Sequence, residues 1–232
     1  MSAPTVATGF TKAVALTYSA NRNAAIVGER GGRLMLLDLL RPVPGGYEQR
    51  VIGDGYRDVD HLAYDDISDR LLIADADGVW VARIAAADRA DATAFAQSPV
   101  DVRALSTASA AGSPVALVLD GDPSPHLDSY SLGANPGSTV DTLLASLDGA
   151  KEAAVADSSS AFLLTSAAAG TILQLADWTT STVAQMSSGT LPFGGHVAAL
   201  DSQWALVVSK NGEFACVRRD GALRRPTGAG SP

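Results

Sequence analysis

Aromatic residues make up only 6% of the chain, and among 232 residues there are one cysteine and three histidines. With Cys216 alone, no intrachain disulfide can form, and its setting in Glu213-Phe-Ala-Cys-Val217 is that of a small residue inside a strand. Two histidines, His61 and His196, precede candidate strands in a comparable way, but two without a third ligand do not make a zinc centre. No apolar run approaches the roughly 20 residues that a membrane-spanning helix requires, so a membrane is not an expected partner. The opening Met-Ser-Ala-Pro-Thr-Val-Ala-Thr has neither a basic nor an apolar stretch. The expectation is a protein without a signal peptide, cytoplasmic on synthesis. Positive charge is also scarce: 17 Lys and Arg against 25 Asp and Glu leave a net −8. Phosphate binding needs a concentrated basic surface, so nucleic acid is not expected as a partner. Basic residues gather only at Arg218, Arg219, Arg224 and Arg225, which read as a solvated strand edge and tail.

What the chain does have is repetition. Candidate inner strands read Ala13–Tyr18, Val59–Tyr64, Val102–Thr107, Ala153–Asp157 and Val197–Asp201. Anchored on Leu16, Leu62, Leu105, Val155 and Ala199, they recur at spacings of 46, 43, 50 and 44 residues. Two further apolar runs follow each, joined by turns such as Gly31-Gly32, Asp77-Gly78 and Asn211-Gly212, whose residues supply the positive φ of tight hairpins. Weaker outer strands are expected at Gln49–Ile52, Thr93–Ala96, Val140–Leu144 and Thr182–Met186. Helical periodicity is nowhere sustained; the Ala-rich stretch from Ile84 to Ala96 reads as a loop with at most one turn of helix. Four-stranded units repeating every 40–50 residues point to an all-β chain, a single β-propeller of about five blades. Alanines at Ala13, Ala15, Ala63, Ala104, Ala153 and Ala198 suit crowded inner strands.

The segment Asp65-Asp-Ile-Ser-Asp-Arg-Leu-Leu-Ile-Ala-Asp-Ala-Asp-Gly-Val-Trp-Val81 resembles blades of the NHL, SMP-30 and YVTN propeller group. That group often carries an Asp-x-x-x-x-Arg-Leu stretch followed by two apolar residues and Ala-Asp. The resemblance is good over 59–84, fair over 13–39 and loose in the other three copies. It implies the fold far more than a function, since the group includes lactonases, lyases and plain interaction modules. The expected blades are 13–52, 59–96, 102–144, 153–186 and 197–227, with 228–232 a tail. Because Ala222–Thr227 contains Arg224, Arg225 and Pro226, Thr5–Phe10 is expected to supply the fourth strand of the last blade and close the ring. The alternative is a larger ring completed by another chain.

Loops leading into the inner strands are the natural place for a ligand. The most polar is Gly53-Asp-Gly-Tyr-Arg-Asp-Val-Asp-His61. Asp54, Asp58 and Asp60 offer oxygen ligands of the kind calcium takes, although their spacing matches no calcium loop and Gly-Asp-Gly is ordinary turn chemistry. Tyr56 and Phe193 fall in such loops beside glycine, where an aromatic ring can stack on a sugar or anchor a partner. With His61 and His196 these residues form the expected contact surface. The SMP-30 resemblance would imply a cation held by Glu, Asn and Asp, whereas this chain offers Lys12, Asp60 or His61, Asp101 or Arg103, Glu152 and His196 at those positions. No Ser-His-Asp signature or phosphate loop is present. The leading expectation is therefore a non-catalytic module without a cofactor that binds a protein partner, as part of a larger assembly such as a phage-like particle or secretion apparatus. A glycan-binding lectin and a metal-dependent lactonase are the alternatives.

Overall fold

The computed structural model describes residues 7–96, 99–110, 112–133, 135–186, 191, 195–208 and 214–224. Their strands form five four-stranded antiparallel sheets. The first blade holds β1 (Ala13–Ser19), β2 (Ala24–Glu29), β3 (Leu34–Val43) and β4 (Gly46–Gly53). The second holds β5 (His61–Asp65), β6 (Arg70–Asp75), β7 (Gly78–Ala82) and β8 (Thr93–Ala94). The third comprises β9 (Val102–Ala110), β10 (Ser113–Asp120), β11 (His126–Ser131) and β12 (Thr139–Leu144). The fourth has β13 (Ala150–Val155), β14 (Ser160–Ala167), β15 (Gly170–Asp177) and β16 (Thr182–Gln185). The fifth has β17 (His196–Ala199), β18 (Trp204–Val208), β19 (Phe214–Arg218) and β20 (Leu223–Arg224). Apart from Thr5–Phe10, each expected run overlaps an observed strand, and Ile84–Ala86 is the single 3-10 turn among the described residues.

One expectation is corrected. The fourth strand of the last blade is β20, paired Cys216↔Arg224 and Val217↔Leu223 with β19. Ala7–Phe10 forms no strand, and Thr5 and Val6 lie outside the described residues. The cause is the tight turn at Asp220-Gly221. Gly221 takes φ +85, its N–H donates to Arg218 O at 2.8 Å, and Asp220 accepts from Ala222 N at 3.1 Å. The chain therefore turns straight back along β19.

Contacts divide the chain into two compact units, Met1–Val100 with Gly112–Ala116 and Tyr130–Val140, and Asp101–Ala111 with Leu117–Ser129 and Asp141–Pro232. In the first unit, blades one and two share a core in which Ile26, Leu34 and Leu36 meet Val59, Leu62, Tyr64, Leu71 and Ile73. Full burial of each such aliphatic side chain stabilises by about 1.5–3 kcal/mol. The two sheets come so close at Gly28 that a Cβ there would lie 2.7 Å from Val59 Cγ1. In β6, Leu71, Leu72 and Ile73 are all fully buried, so both faces of this middle strand are covered and its run is uninterruptedly apolar. In the second unit the junction of blades four and five buries Phe162, Leu164 and Leu173 with Val197, Ala205, Val207 and Val217.

Four of the carboxylates close turns. Asp65 accepts from Ser68 N, Asp157 from Ser159 N, Asp177 from Thr179 N, and Asp201 from Gln203 N and Trp204 N, all at 2.7–2.9 Å. A short carboxylate that bonds the backbone two or three residues on fixes a turn without further help.

Candidate functional site

Five of the seven expected contact residues lie on the loop from β4 to β5 and the start of β5, which is nailed down along its length. Asp54 N donates to Asp88 Oδ1 at 2.8 Å and Asp54 O accepts from Arg89 N at 3.1 Å. Arg57 N donates to Asp75 Oδ2 at 2.9 Å, and Arg57 O accepts from Ala76 N at 2.7 Å. Asp75 also receives the Trp80 indole N–H at 3.0 Å, while Arg89 lies 4.6 Å over the Trp80 ring and pairs with Asp77. A cation over an indole face adds attraction to the ion pair.

Tyr56 corrects the expectation of an exposed aromatic anchor. It is 4% exposed, its hydroxyl donates to Ala87 O at 2.7 Å, and its ring meets Trp80 edge-on at 6.4 Å. Burial, reinforced by the negative charge of Asp75 and Asp88, pushes its phenol pKa up. A ring so enclosed cannot stack on a ligand; it belongs to the first unit's core. The sequence signal was ambiguous because an aromatic beside Gly55 suits a loop tip and a plug beneath a loop equally well.

The polar members of the loop are open to solvent. Asp54, Asp58 and Asp60 are exposed and His61 is half-buried. Asp58 takes φ 48, a left-handed conformation that Asp tolerates better than most residues. Asp60 faces Arg30 at 3.8 Å. Among the described residues there is no group of three or more His, Cys, Asp or Glu side chains that could hold a metal ion. Phe193 lies outside the described residues.

Asp54 and Asp58 do line an open depression of about 510 Å³, together with Thr11, Lys12, Glu29, Arg30, Gly31 and Arg33. Its floor is fixed by Glu29, a buried carboxylate that accepts from Thr11 N at 2.6 Å and from Arg33 Nε at 2.5 Å. The Arg33 bond holds Glu29 below the usual carboxylate range, against the opposing effect of burial. The β2–β3 hairpin that carries Arg30 is equally constrained. A Cβ on Gly32, at φ +87, would sit 1.9 Å from Tyr56 O. Lys12, Arg30 and Asp54 thus project from a rigid base. The sequence pattern offered Lys12 as a residue leading into β1, but the part played by Arg30 and Arg33 had no local signal, because it depends on how two successive loops meet.

His196 belongs to the second unit. It is exposed at the start of β17, and its Nδ1 lies 3.2 Å from Glu152 Oε1 on β13. Burial raises the Glu152 pKa, only partly offset by His196 and by a bond from the Val197 backbone. Arg103 extends this side of the unit, donating to Ala150 O at 2.9 Å and pairing with Asp101 at 2.8 Å.

No family model and no curated protein matches the sequence. Solved structures do match its shape. The WD40 β-propeller domain of Doa1 superposes with a TM-score of 0.65 at 17% identity, covering 94% of this chain and 69% of that one. A chain of a nidogen/laminin complex gives 0.69 at 12% identity, covering 92% and 80%. TolB from Acinetobacter baumannii gives 0.63 at 12% identity, covering 91% of this chain but only 53% of TolB. Identities this low speak for architecture alone, and they do not single out the NHL and SMP-30 group among propellers. Among the described residues no helix is long and apolar enough to cross a membrane. By fold, this chain is a β-propeller.

Proposed function

We propose that the chain is a non-catalytic binding module that holds a protein partner at the depression bordered by Lys12, Arg30, Asp54 and Asp58. The observation that carries this reading is the mixed-charge rim on a rigid base. Cations and carboxylates stand exposed within one open concavity, while Glu29, Gly32 and Tyr56 fix the backbone beneath them. A preorganised surface loses little entropy on association, and alternating charge selects a complementary surface and speeds encounter. The openness of the concavity suits a protein surface better than an enclosed small molecule. Propellers of similar shape include one solved in a nidogen/laminin complex, which supports protein binding as a use of this architecture. In its finer form the proposal makes this chain a subunit of a larger assembly. The test is a binding comparison using a partner recovered from the native source. Lys12→Glu/Arg30→Glu should weaken its affinity at least about tenfold, the size expected for removing charged contacts at an interface. Unchanged affinity would overturn the assignment.

A further inference from the structure

Every blade ends on an outer strand whose free edge lies in the plane of its own sheet, whatever covers the faces of the blade. A short edge strand is one way in which a sheet avoids unwanted pairing. β8 and β20 span two residues each, β16 four and β12 six, whereas β4 runs for eight, Gly46–Gly53. It contains no proline, and from Gly46 to Val51 it has no extra residue of its own, the irregularity between Asp38 and Pro42 falling on β3. Glu48, Arg50 and Val51 are exposed, and Tyr47 and Gln49 half-buried. Among the described residues no strand pairs with its outer edge. A long, unbulged edge of this kind is a template for another strand.

The sequence of the edge, Tyr47-Glu-Gln-Arg-Val51, is complementary to itself. Laid antiparallel to a second copy about a two-fold axis through Gln49, Glu48 stands opposite the partner's Arg50, and Arg50 opposite the partner's Glu48. Tyr47 and Val51 are opposites in the same way, an aromatic against a β-branched residue. Both kinds of pair stabilise antiparallel strands, while like charges directly across destabilise them. Sliding the partner by two residues sets Glu48 on the partner's Glu48, or Arg50 on the partner's Arg50, so the charges select one register. Because the axis passes through a residue, that register holds whether Gln49 or its neighbours turn their backbone groups outward. Glu48 and Arg50 share a face with Asp38 and Leu36, their neighbours on β3, around a depression of about 160 Å³ that Arg41 also lines. The partner's two charged side chains have room there. Glu48 already meets Arg41 at 3.1 Å, with the two 48% and 67% exposed, a solvent-screened contact that a second guanidinium can share.

We propose that two copies of this chain associate edge to edge through β4, antiparallel about an axis through Gln49, so that blade one of each copy continues the sheet of the other. The occupant is set by charge complementarity: the edge carries one residue of each sign, placed so that a second copy satisfies both. The contact is isologous, since the same patch serves on both sides, and it closes at a dimer. Five residues a side make a small interface, of the reversible kind found below about 1,200 Å². This goes beyond the binding reading above and stands or falls separately from it, because none of these residues lines the depression at Lys12 and Arg30.

The test is sedimentation of the full chain from micromolar to millimolar concentration. The wild-type mass should rise with concentration and stop at a dimer. Glu48→Arg and Arg50→Glu each set like charges opposite one another at both pairs, so each alone should associate at least about tenfold more weakly. An equimolar mixture of the two should associate as wild type does, because every pair across it is again of opposite sign. The exchange Glu48→Arg/Arg50→Glu should do so by itself. Circular dichroism establishes that the variants are folded. Should one unfold, Gln49→Cys in a Cys216→Ala background reads the same axis: its thiol meets the partner's across the two strands, and oxidation should give a covalent dimer. Leu40→Cys, at an exposed position of the same hairpin, should not. A wild type that stays monomeric or grows past a dimer, a mixture that associates no better than its components, or equal crosslinking of the two cysteine variants would each overturn the proposal. An edge that pairs only with a different protein would give the first of these results.

Discussion

Arg22 clasps both carboxylate oxygens of Asp69, its Nη2 donating to them at 2.7 and 2.9 Å, although the two residues are 47 apart in sequence and sit on successive blades. Arg22 Nε also donates to the Tyr64 hydroxyl at 3.0 Å, and that hydroxyl bonds Asp69 in turn. Next to this cluster, Asp66 accepts from Ser19 Oγ, Ala20 N and Asn21 N at 2.9–3.1 Å. A polar seam therefore fastens the turn of blade one to the turn of blade two. Burial works to raise the Asp69 pKa, but the bonds from Tyr64 and Arg22 outweigh it and hold it down. Both partners of the ion pair are about half exposed, so solvent screens it. Arg22→Ala should cost about 0.5–1 kcal/mol in urea denaturation, and the loss should shrink in high salt.

Tyr56 makes a prediction opposite to the one its loop position suggests. Tyr56→Ala removes a buried ring from the first unit's core and should destabilise by about 3–5 kcal/mol. Tyr56→Phe keeps the ring and loses only the bond to Ala87 O, at a cost of about 1 kcal/mol. Thermal and urea unfolding of the two variants check this. Equal stability of Tyr56→Ala and wild type would place the ring outside the core.

Two carboxylates should respond to pH with opposite signs. The native pKa of Glu29 is held below its ordinary 4.5. Its contribution is therefore complete above that value and is lost as pH falls through the native pKa. Glu29→Gln should cost about 1–3 kcal/mol at neutral pH, and the difference from wild type should fade in acid. The native pKa of Glu152 is raised above 4.5 by burial. Its contribution is complete below 4.5 and is lost as pH rises through the native pKa. Glu152→Gln should consequently be more stable than wild type at neutral pH and equal to it near pH 4. Urea titrations across this range, run for both variants, separate the two directions.

Most of the fold was legible because it rests on local chemistry. Repeated apolar runs set the strands, and Gly-bearing hairpins and Asp-capped turns set their connections. The last blade was misread for a local reason: the arginines and proline after Ala222 look hostile to a strand, but Leu223–Arg224 is a two-residue edge whose pairing is decided by the Asp220-Gly221 turn. The site was legible only as a loop. That Asp54 and Asp58 border a depression while Tyr56 points beneath them depends on the neighbouring hairpin at Gly32, a contact between segments more than twenty residues apart. Arg30 and Arg33 carry no motif at all, since their role exists only once blade one lies beside the β4–β5 loop.

The central claim is that the partner sits on the depression of the first unit. The most direct measurement is photo-crosslinking in the native source, with a photoreactive residue placed in turn at Lys12, at Asp58 and, as a control, at exposed Leu40 on β3. The prediction is one discrete protein adduct shared by the Lys12 and Asp58 positions and absent from Leu40. Adducts of equal yield and pattern at all three positions, or none at Lys12 and Asp58, would contradict it.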